Sequence, residues 1–410
     1  MSKPIHRLMI ALSLALASTT FAAPAVRADA VTDANAKAAA LTAKAPTPVA
    51  ARALCLTQVA VYEAVAAITG RLPRRFTDAK AARGASLEAA VAAATRAVLA
   101  KLLPGEQAAV EADYQAALAA VPDGPQRRDG IAAGEAAAAA VLALRENDGS
   151  MAPDRYRPYT TAGVYVPTVV PMGQTWGARK PWLLEKPDQF RPGPPPALDS
   201  ETWTKDYNEI KEIGAKESKT RTPEQTAIAR FWTATNPVIY WPIVRSVAAM
   251  AGRDPVENAR LLAAAAIAMD DAIIAVFDGK YAYNFWRPMT AIRNGDLDKS
   301  DATAPDPGWT PFIDTPLHPE YPCAHCIISG SLGGLLEAEL NGKPSPTLTT
   351  SSPTADGAVR SWTSVGDFVK EVAEARIYDG VHYRNSTVVG TGMGMKIGAL
   401  AARALPPATK

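Results

Sequence analysis

The sequence predicts an all-α fold, and three observations carry that prediction. Alanine-rich runs with helical spacing fill much of the 410-residue chain, helix-start patterns punctuate it, and no stretch alternates apolar with polar residues as a half-buried strand would. A hydrophobic content of 48% is ample for a buried core, and a net charge of +2 argues against a nucleic-acid-binding protein, which would carry long basic stripes. The three cysteines, Cys55, Cys323 and Cys326, are too few for a disulfide framework, so packing must supply the stability.

The first thirty residues read as a secretory signal peptide. Lys3, His6 and Arg7 precede an apolar run from Leu8 to Ala17, followed by small residues with cleavage sites at Thr20-Phe21-Ala22 or Ala28-Asp29-Ala30. The run is shorter than the ~20 apolar residues of a membrane span, and no second apolar segment is read as long enough. The mature chain is therefore expected to be secreted or periplasmic, with no stable span once the signal is removed.

Residues 31–149 form an N-terminal helical region of three or four helices, broken at Gly70 to Pro73, Pro104-Gly105 and Pro122 to Pro125. Within it Val59, Tyr62, Glu63 and Ala66 share one helical face, and Leu87 to Leu103 behaves similarly. Residues 150–200 are rich in Pro, Tyr, Trp and Gly and hold no period. An irregular segment of that length commonly has a task, such as covering a site.

Residues 201–410 read as a helical bundle carrying an oxyanion site. Thr222-Pro223-Glu224-Gln225 has the cap, first-turn proline and third-position Gln of a helix start. A helix from about Pro255 to Phe277 is apolar all round in its middle, as a central bundle helix is. After a polar loop around Pro344 to Asp356, the last helices are expected at Val365 to Tyr378 and Thr387 to Leu405.

This last region collects cations and histidines at specific spacings. Lys280 and Arg287-Pro288 are separated by six residues, Pro322-Cys323-Ala324-His325 follows, and Arg376 precedes His382 by five intervening residues. A multiply charged tetrahedral oxyanion needs fixed positive groups, and guanidinium forks suit its oxygens in pairs. Pro322 favours a helix start, whose free N–H groups, including that of Ala324, would face the anion. One histidine can bond to the central atom while the other exchanges protons.

These three elements resemble the signature shared by the type 2 phosphatidic acid phosphatases and the vanadium-dependent haloperoxidases, Lys-x6-Arg-Pro, Pro-Ser-Gly-His and Arg-x5-His. Asp188 to Pro192, Pro194 to Leu198, Arg221 to Gln225 and His318-Pro319-Glu320-Tyr321-Pro322 look like the bacterial haloperoxidase branch, so the resemblance runs from about residue 50 to 405. It implies a helical bundle of the haloperoxidase and acid phosphatase type with additional N-terminal helices. It further implies that vanadate, or phosphate in the same pocket, is held by Lys280, Arg287, Cys323, Ala324, Arg376 and His382. In that reading His382 ligates the vanadium or becomes the phosphorylated nucleophile, His325 is the acid–base residue, and His318 stands on the halide side. The implied reaction is oxidation of halide by hydrogen peroxide; the alternatives are an exported acid phosphatase acting on a phosphate ester, or an inactive oxyanion-binding relative. Oligomeric state stays open.

Two positions depart from the pattern. Cys323 and Ala324 stand where Ser and Gly are usual, a weaker donor and an added methyl group. Ser386 occupies the position, four residues after His382, where many of the phosphatases carry an orienting aspartate. The residues themselves leave other readings open: zinc, a disulfide or redox pair, or two small buried thiols at Cys323 and Cys326, a core position for Trp286, and close helix packing for Gly390, Gly392, Gly394 and Gly398.

Overall fold

The computed structural model describes residues 29–298 and 300–409, so the signal peptide, apart from Asp29 and Ala30, lies outside the described residues. Thirteen α-helices are present among them. They are α1 (Ala30–Thr42), α2 (Thr47–Thr69), α3 (Leu87–Leu102), α4 (Gln107–Ala119), α5 (Pro125–Leu144), α6 (Glu201–Ile213) and α7 (Pro223–Trp232), followed by α8 (Trp241–Ala248), α9 (Pro255–Tyr283), α10 (Pro288–Arg293), α11 (Ala324–Leu340), α12 (Val365–Tyr378) and α13 (Arg384–Ala404). The N-terminal region thus holds five helices rather than three or four, because the chain also breaks between Thr42 and Thr47, at Pro46, and separates α1 from α2.

Helix α9 is the central post. It is buried from Val256 to Phe277 without a polar stripe, with α2 packed on one side and α11 and α13 on the other. Helix α2 corrects the expectation that no further segment reaches spanning length: its 23 residues are long and apolar enough to cross a membrane, and most of them are buried in the core. Helix α7 begins with the expected capping box, Thr222 taking the Gln225 N–H while the Gln225 side chain accepts from the Thr222 N–H.

Helices α11 and α13 meet through small residues. A Cβ added at Gly394 would stand 2.3 Å from the Ile327 carbonyl, and one at Gly398 would stand 2.0 Å from that of Ser331. Close packing therefore accounts for these glycines, and it brings the start of α13 beside the start of α11.

The expectation of no strands fails at one place. β1 (Leu348–Ser351), within the stretch read as a polar loop, and β2 (Val359–Trp362), just after it, form an antiparallel hairpin. Leu348 pairs with Trp362 and both are buried, while the next pair, Thr349 and Ser361, joins hydroxyls. Four-residue strands are too short to display alternation, and tertiary burial decides them.

The irregular 150–200 segment lies across the C-terminal end of α9 and the 317–321 loop. Tyr165 N–H donates to Asn284 O (2.8 Å), Met172 N–H to Leu317 O (2.7 Å) and Tyr321 Oη–H to Gly193 O (2.9 Å), and Arg191 pairs with Asp278 (2.6 Å). Its inner part is held by a buried cluster in which Arg179 grips Asp270 with both guanidinium arms and the Asp271 carboxylate accepts the N–H groups of Trp182, Leu183 and Leu184.

Candidate active site

Four chain segments converge at one end of the α9–α11–α13 core. Lys280 lies in the last turn of α9, and Arg287 caps α10 three residues after the helix ends at Asn284, which takes a left-handed turn (φ 49°). Cys323 caps α11, placing His325 in its first turn. Arg376 ends α12, and the chain reverses at Gly380 (φ +78°) to deliver His382 just before α13. Only glycine suits that reversal, since a Cβ there would meet the Gly214 carbonyl at 2.3 Å.

All five expected side chains are buried and gathered. Arg287 Nη1–H donates to Val381 O (2.7 Å) and faces His382 Nε2 (3.3 Å), while its Nε–H and Nη2–H reach His318 O and His318 Nδ1, both at 2.9 Å. Lys280 Nζ donates to the carbonyls of Pro319 (2.9 Å), Glu320 (2.8 Å) and Pro322 (2.6 Å). Arg376 Nη1–H reaches Trp232 O (3.0 Å) and Asp379 Oδ2 (2.5 Å), and His325 Nε2 faces Ala234 O (3.1 Å). With its three protons on main-chain carbonyls, Lys280 acts on the centre of the cluster through its charge. To grip a guest oxygen directly it must exchange one of those partners.

Positive charge exceeds negative here, and the titrating groups register it. Burial, followed by the charges of Arg287, Lys280 and Arg376, holds the His382 imidazole well below its ordinary range. His325 is depressed in the same way, by burial first and then by Arg376. Burial and the neighbouring Arg287 and Arg376 lower Lys280, and burial takes Arg287 down to about 10. The two carboxyls present, Glu320 and Asp379, are each pushed up to about 7 by burial against the pull of those cations.

Several donors remain without an acceptor. Arg376 Nε is buried and unpartnered, and the amides of Ala324 and His325, the first two of α11, find no acceptor among the described residues. A helix N-terminus with free amides beside three buried cations is chemically suited to a phosphate-like anion.

The Glu320–His382 pair sets the chemistry of the second imidazole. Glu320 Oε1 lies 2.7 Å from His382 Nδ1 and also accepts the Tyr383 N–H (3.1 Å). As a carboxylate Glu320 only accepts, so Nδ1 carries the proton and Nε2 presents a lone pair towards Arg287. At His325 the Ala234 carbonyl fixes the proton on Nε2, leaving Nδ1 as the basic nitrogen.

Known proteins resemble this chain in sequence and fold. Residues 260–406, which carry all five side chains, match the profile described as the VCPO second helical-bundle domain. The vanadium chloroperoxidase of Curvularia inaequalis is 27% identical over 187 residues, covering 38% of this chain and 30% of that protein, so the match spans under a third of its length. The crystal structure of a bacterial vanadium-dependent iodoperoxidase superposes with a TM-score of 0.77 at 24% identity, over 93% of this chain and 97% of that one. A bacterial vanadium-dependent chloroperoxidase in its holo form gives 0.67 at 17% identity, over 88% and 93%. Residues 260–406 thus match a haloperoxidase-type helical-bundle domain, and the chain as a whole shares the fold of the bacterial vanadium haloperoxidases.

At this site some single readings change. Cys323 and Cys326 are joined in a disulfide, not held as two free thiols, which leaves no thiolate pair for zinc. The concern that His382 lacks an orienting carboxylate because position 386 is Ser also fails. Glu320 supplies that group from the opposite strand of chain, 62 residues away. Trp286 is core, stacked on Trp203 with centroids 5.8 Å apart. His318 is half-buried at the rim, its ring edge-on to Phe277 (5.5 Å) and its Nδ1 accepting from Arg287. Glu320 and Asp379 were missed as site residues, although both lie within or beside the motifs, and a charged residue flanked by apolar neighbours was the available signal.

Proposed function

We propose that this chain is an exported vanadium-dependent haloperoxidase that oxidises halide with hydrogen peroxide. The observation that carries the reading is the unprotonated Nε2 of His382, its ring proton held on Nδ1 by Glu320, facing Arg287 and set among three buried cations that outnumber the nearby carboxylates. Vanadate bound there would supply a Lewis-acidic centre that activates peroxide toward halide without a change of oxidation state. His382 Nε2, the α11 amides and the guanidinium groups would hold it, and the unpartnered Arg376 Nε and free amides fit an oxyanion.

The protein's own groups divide the remaining work. Arg287, Arg376 and Lys280 neutralise the negative charge of guest and reactants, with geometry set before the reaction begins. Glu320 holds the His382 proton on Nδ1 so that Nε2 stays a ligand. His325 takes and returns a proton at Nδ1, the nitrogen without a protein partner. His318 at the rim stands where the halide would approach.

The test is peroxide-dependent bromination of an indicator dye by purified protein reconstituted with orthovanadate, beside hydrolysis of an aryl phosphate by the vanadate-free protein. Bromination that disappears in His382→Ala is the expected result. Vanadate-inhibited hydrolysis without bromination would replace this reading with a phosphatase, and anion binding without either activity would replace it with an inactive relative. Export is tested by N-terminal sequencing of the protein recovered outside the cytoplasm, which should begin after residue 22 or 30.

A further inference from the structure

We propose that Cys323 and Cys326 form a redox-reactive dithiol site in the wall of the anion pocket, with reduction adding a donor for the oxyanion and oxidation by a hydroperoxide removing it. The inference rests on the oxyanion reading of the pocket given above.

Cys323 is the residue that caps α11, and its sulfur accepts the Cys326 N–H at 3.2 Å. That places the sulfur at the same helix mouth as the free amides of Ala324 and His325, one residue beyond the Pro322 carbonyl held by Lys280. The two Cα atoms are 5.3 Å apart, a separation that bridged and open cysteines both accept without backbone movement. The turn is held from behind in either state. Cys323 N–H donates to Ser386 O, and Gly390 of α13 lies so close that a Cβ would meet the Cys323 carbonyl at 2.7 Å and Cys326 Cβ at 3.3 Å. What changes with redox state is therefore the hydrogen on sulfur rather than the fold.

A thiol at position 323 can take the Cys326 N–H and still donate its own hydrogen toward a guest oxygen, whereas a disulfide sulfur has none to give. One net hydrogen bond is worth about fivefold in affinity. Because the coupling is reciprocal, a bound oxyanion favours the dithiol by the same factor.

Closing the bridge balances as follows. One thiol sulfur attacks hydrogen peroxide, an S–O bond forms as the O–O bond breaks, and the departing hydroxide takes the thiol proton as water. The second sulfur displaces the sulfenic hydroxyl, forming S–S and breaking S–O, and its proton leaves in a second water. Two electrons pass from the cysteines to peroxide, and a small dithiol reverses the change.

Both sulfurs are fully buried, so the bridged protein is compared with a variant that cannot bridge as well as with protein treated with a reductant. Inorganic phosphate is titrated calorimetrically into the full chain, oxidised and in dithiothreitol, with thiols counted by alkylation and mass spectrometry. Cys326→Ser, which keeps a thiol at 323 and cannot bridge, and Cys323→Ser, with a permanent hydroxyl donor, are measured alongside. The bridged protein should bind about fivefold more weakly than Cys326→Ser, and both variants should ignore dithiothreitol. Equal affinity in bridged protein and Cys326→Ser overturns the redox inference while leaving the pocket standing, as do two free thiols persisting after hydrogen peroxide treatment. Absence of phosphate binding in every form removes the pocket and the inference together.

Discussion

In the middle of α9, Asp270 and Asp271 belong to a buried cluster in which Arg52, Arg145 and Arg179 face Asp148, Asp270 and Asp271. Ten residues further along the same helix, Lys280 belongs to a second cluster in which Lys280, Arg287 and Arg376 face only Glu320 and Asp379. The first is balanced and pins the 176–184 stretch against the core. The second has cations in excess and, at the start of α11, two amides without an acceptor among the described residues. Buried charge by itself identifies nothing, and neither does an unpartnered guanidinium nitrogen, since Arg145 Nε and Arg179 Nε of the clamp lack partners as Arg376 Nε does; the balance of charge separates a clamp from a place prepared for an anion.

Substitutions that treat the two clusters alike sharpen the contrast. Asp270→Ala removes the two-armed partner of Arg179, leaving its guanidinium only Asp148, and should cost about 3 kcal/mol, read as a large fall in thermal midpoint with phosphate affinity unchanged. A small shift would mean that the clamp is not needed. Phosphate at about a hundredfold over its dissociation constant should stabilise the wild type by about 2.7 kcal/mol and the Asp270→Ala variant equally. Unequal stabilisation would show that the clusters are coupled.

Lys280→Met removes an ammonium that burial and two guanidinium groups already disfavour. Calorimetry and thermal melts should show phosphate affinity falling about tenfold or more with a smaller stability loss than in Asp270→Ala; the reverse order would erase the distinction between the clusters. Glu320→Gln tests the raised carboxyl. Because its folded pKa of about 7 lies above the ordinary carboxylate value, Glu320 contributes stability that is complete below about pH 4 and lost as pH rises through 7. Gln does not titrate, so the variant should gain on the wild type between pH 5 and 8 by about 1.4 kcal/mol or more. A constant gap in melting temperature would count against the raised value.

Much of this was legible in the chain because motif spacing survives as geometry. Lys280 and Arg287 flank a helix end, and Arg376 and His382 flank a glycine reversal, so local structure alone aims each pair. The Thr222 cap was legible for the same reason. Glu320 was not, since its partner His382 is 62 residues distant and its apolar neighbours Pro319 and Tyr321 hint at burial without naming that partner. The Arg179–Asp270 pair spans 91 residues and was equally hidden. The β1–β2 hairpin escaped because its pairing depends on burying Leu348 and Trp362 together rather than on any pattern within either strand. Cys323 and Cys326 could be seen as a pair, but only their placement in space shows them bridged.

The most direct test of the claim that an excess of buried cations around His382 makes an oxyanion site is calorimetric titration of inorganic phosphate, repeated with orthovanadate present. One saturable site, emptied by competition with vanadate and abolished in Arg376→Met, is the predicted result. Absence of saturable heat, a stoichiometry other than one, or undiminished affinity in Arg376→Met would contradict it.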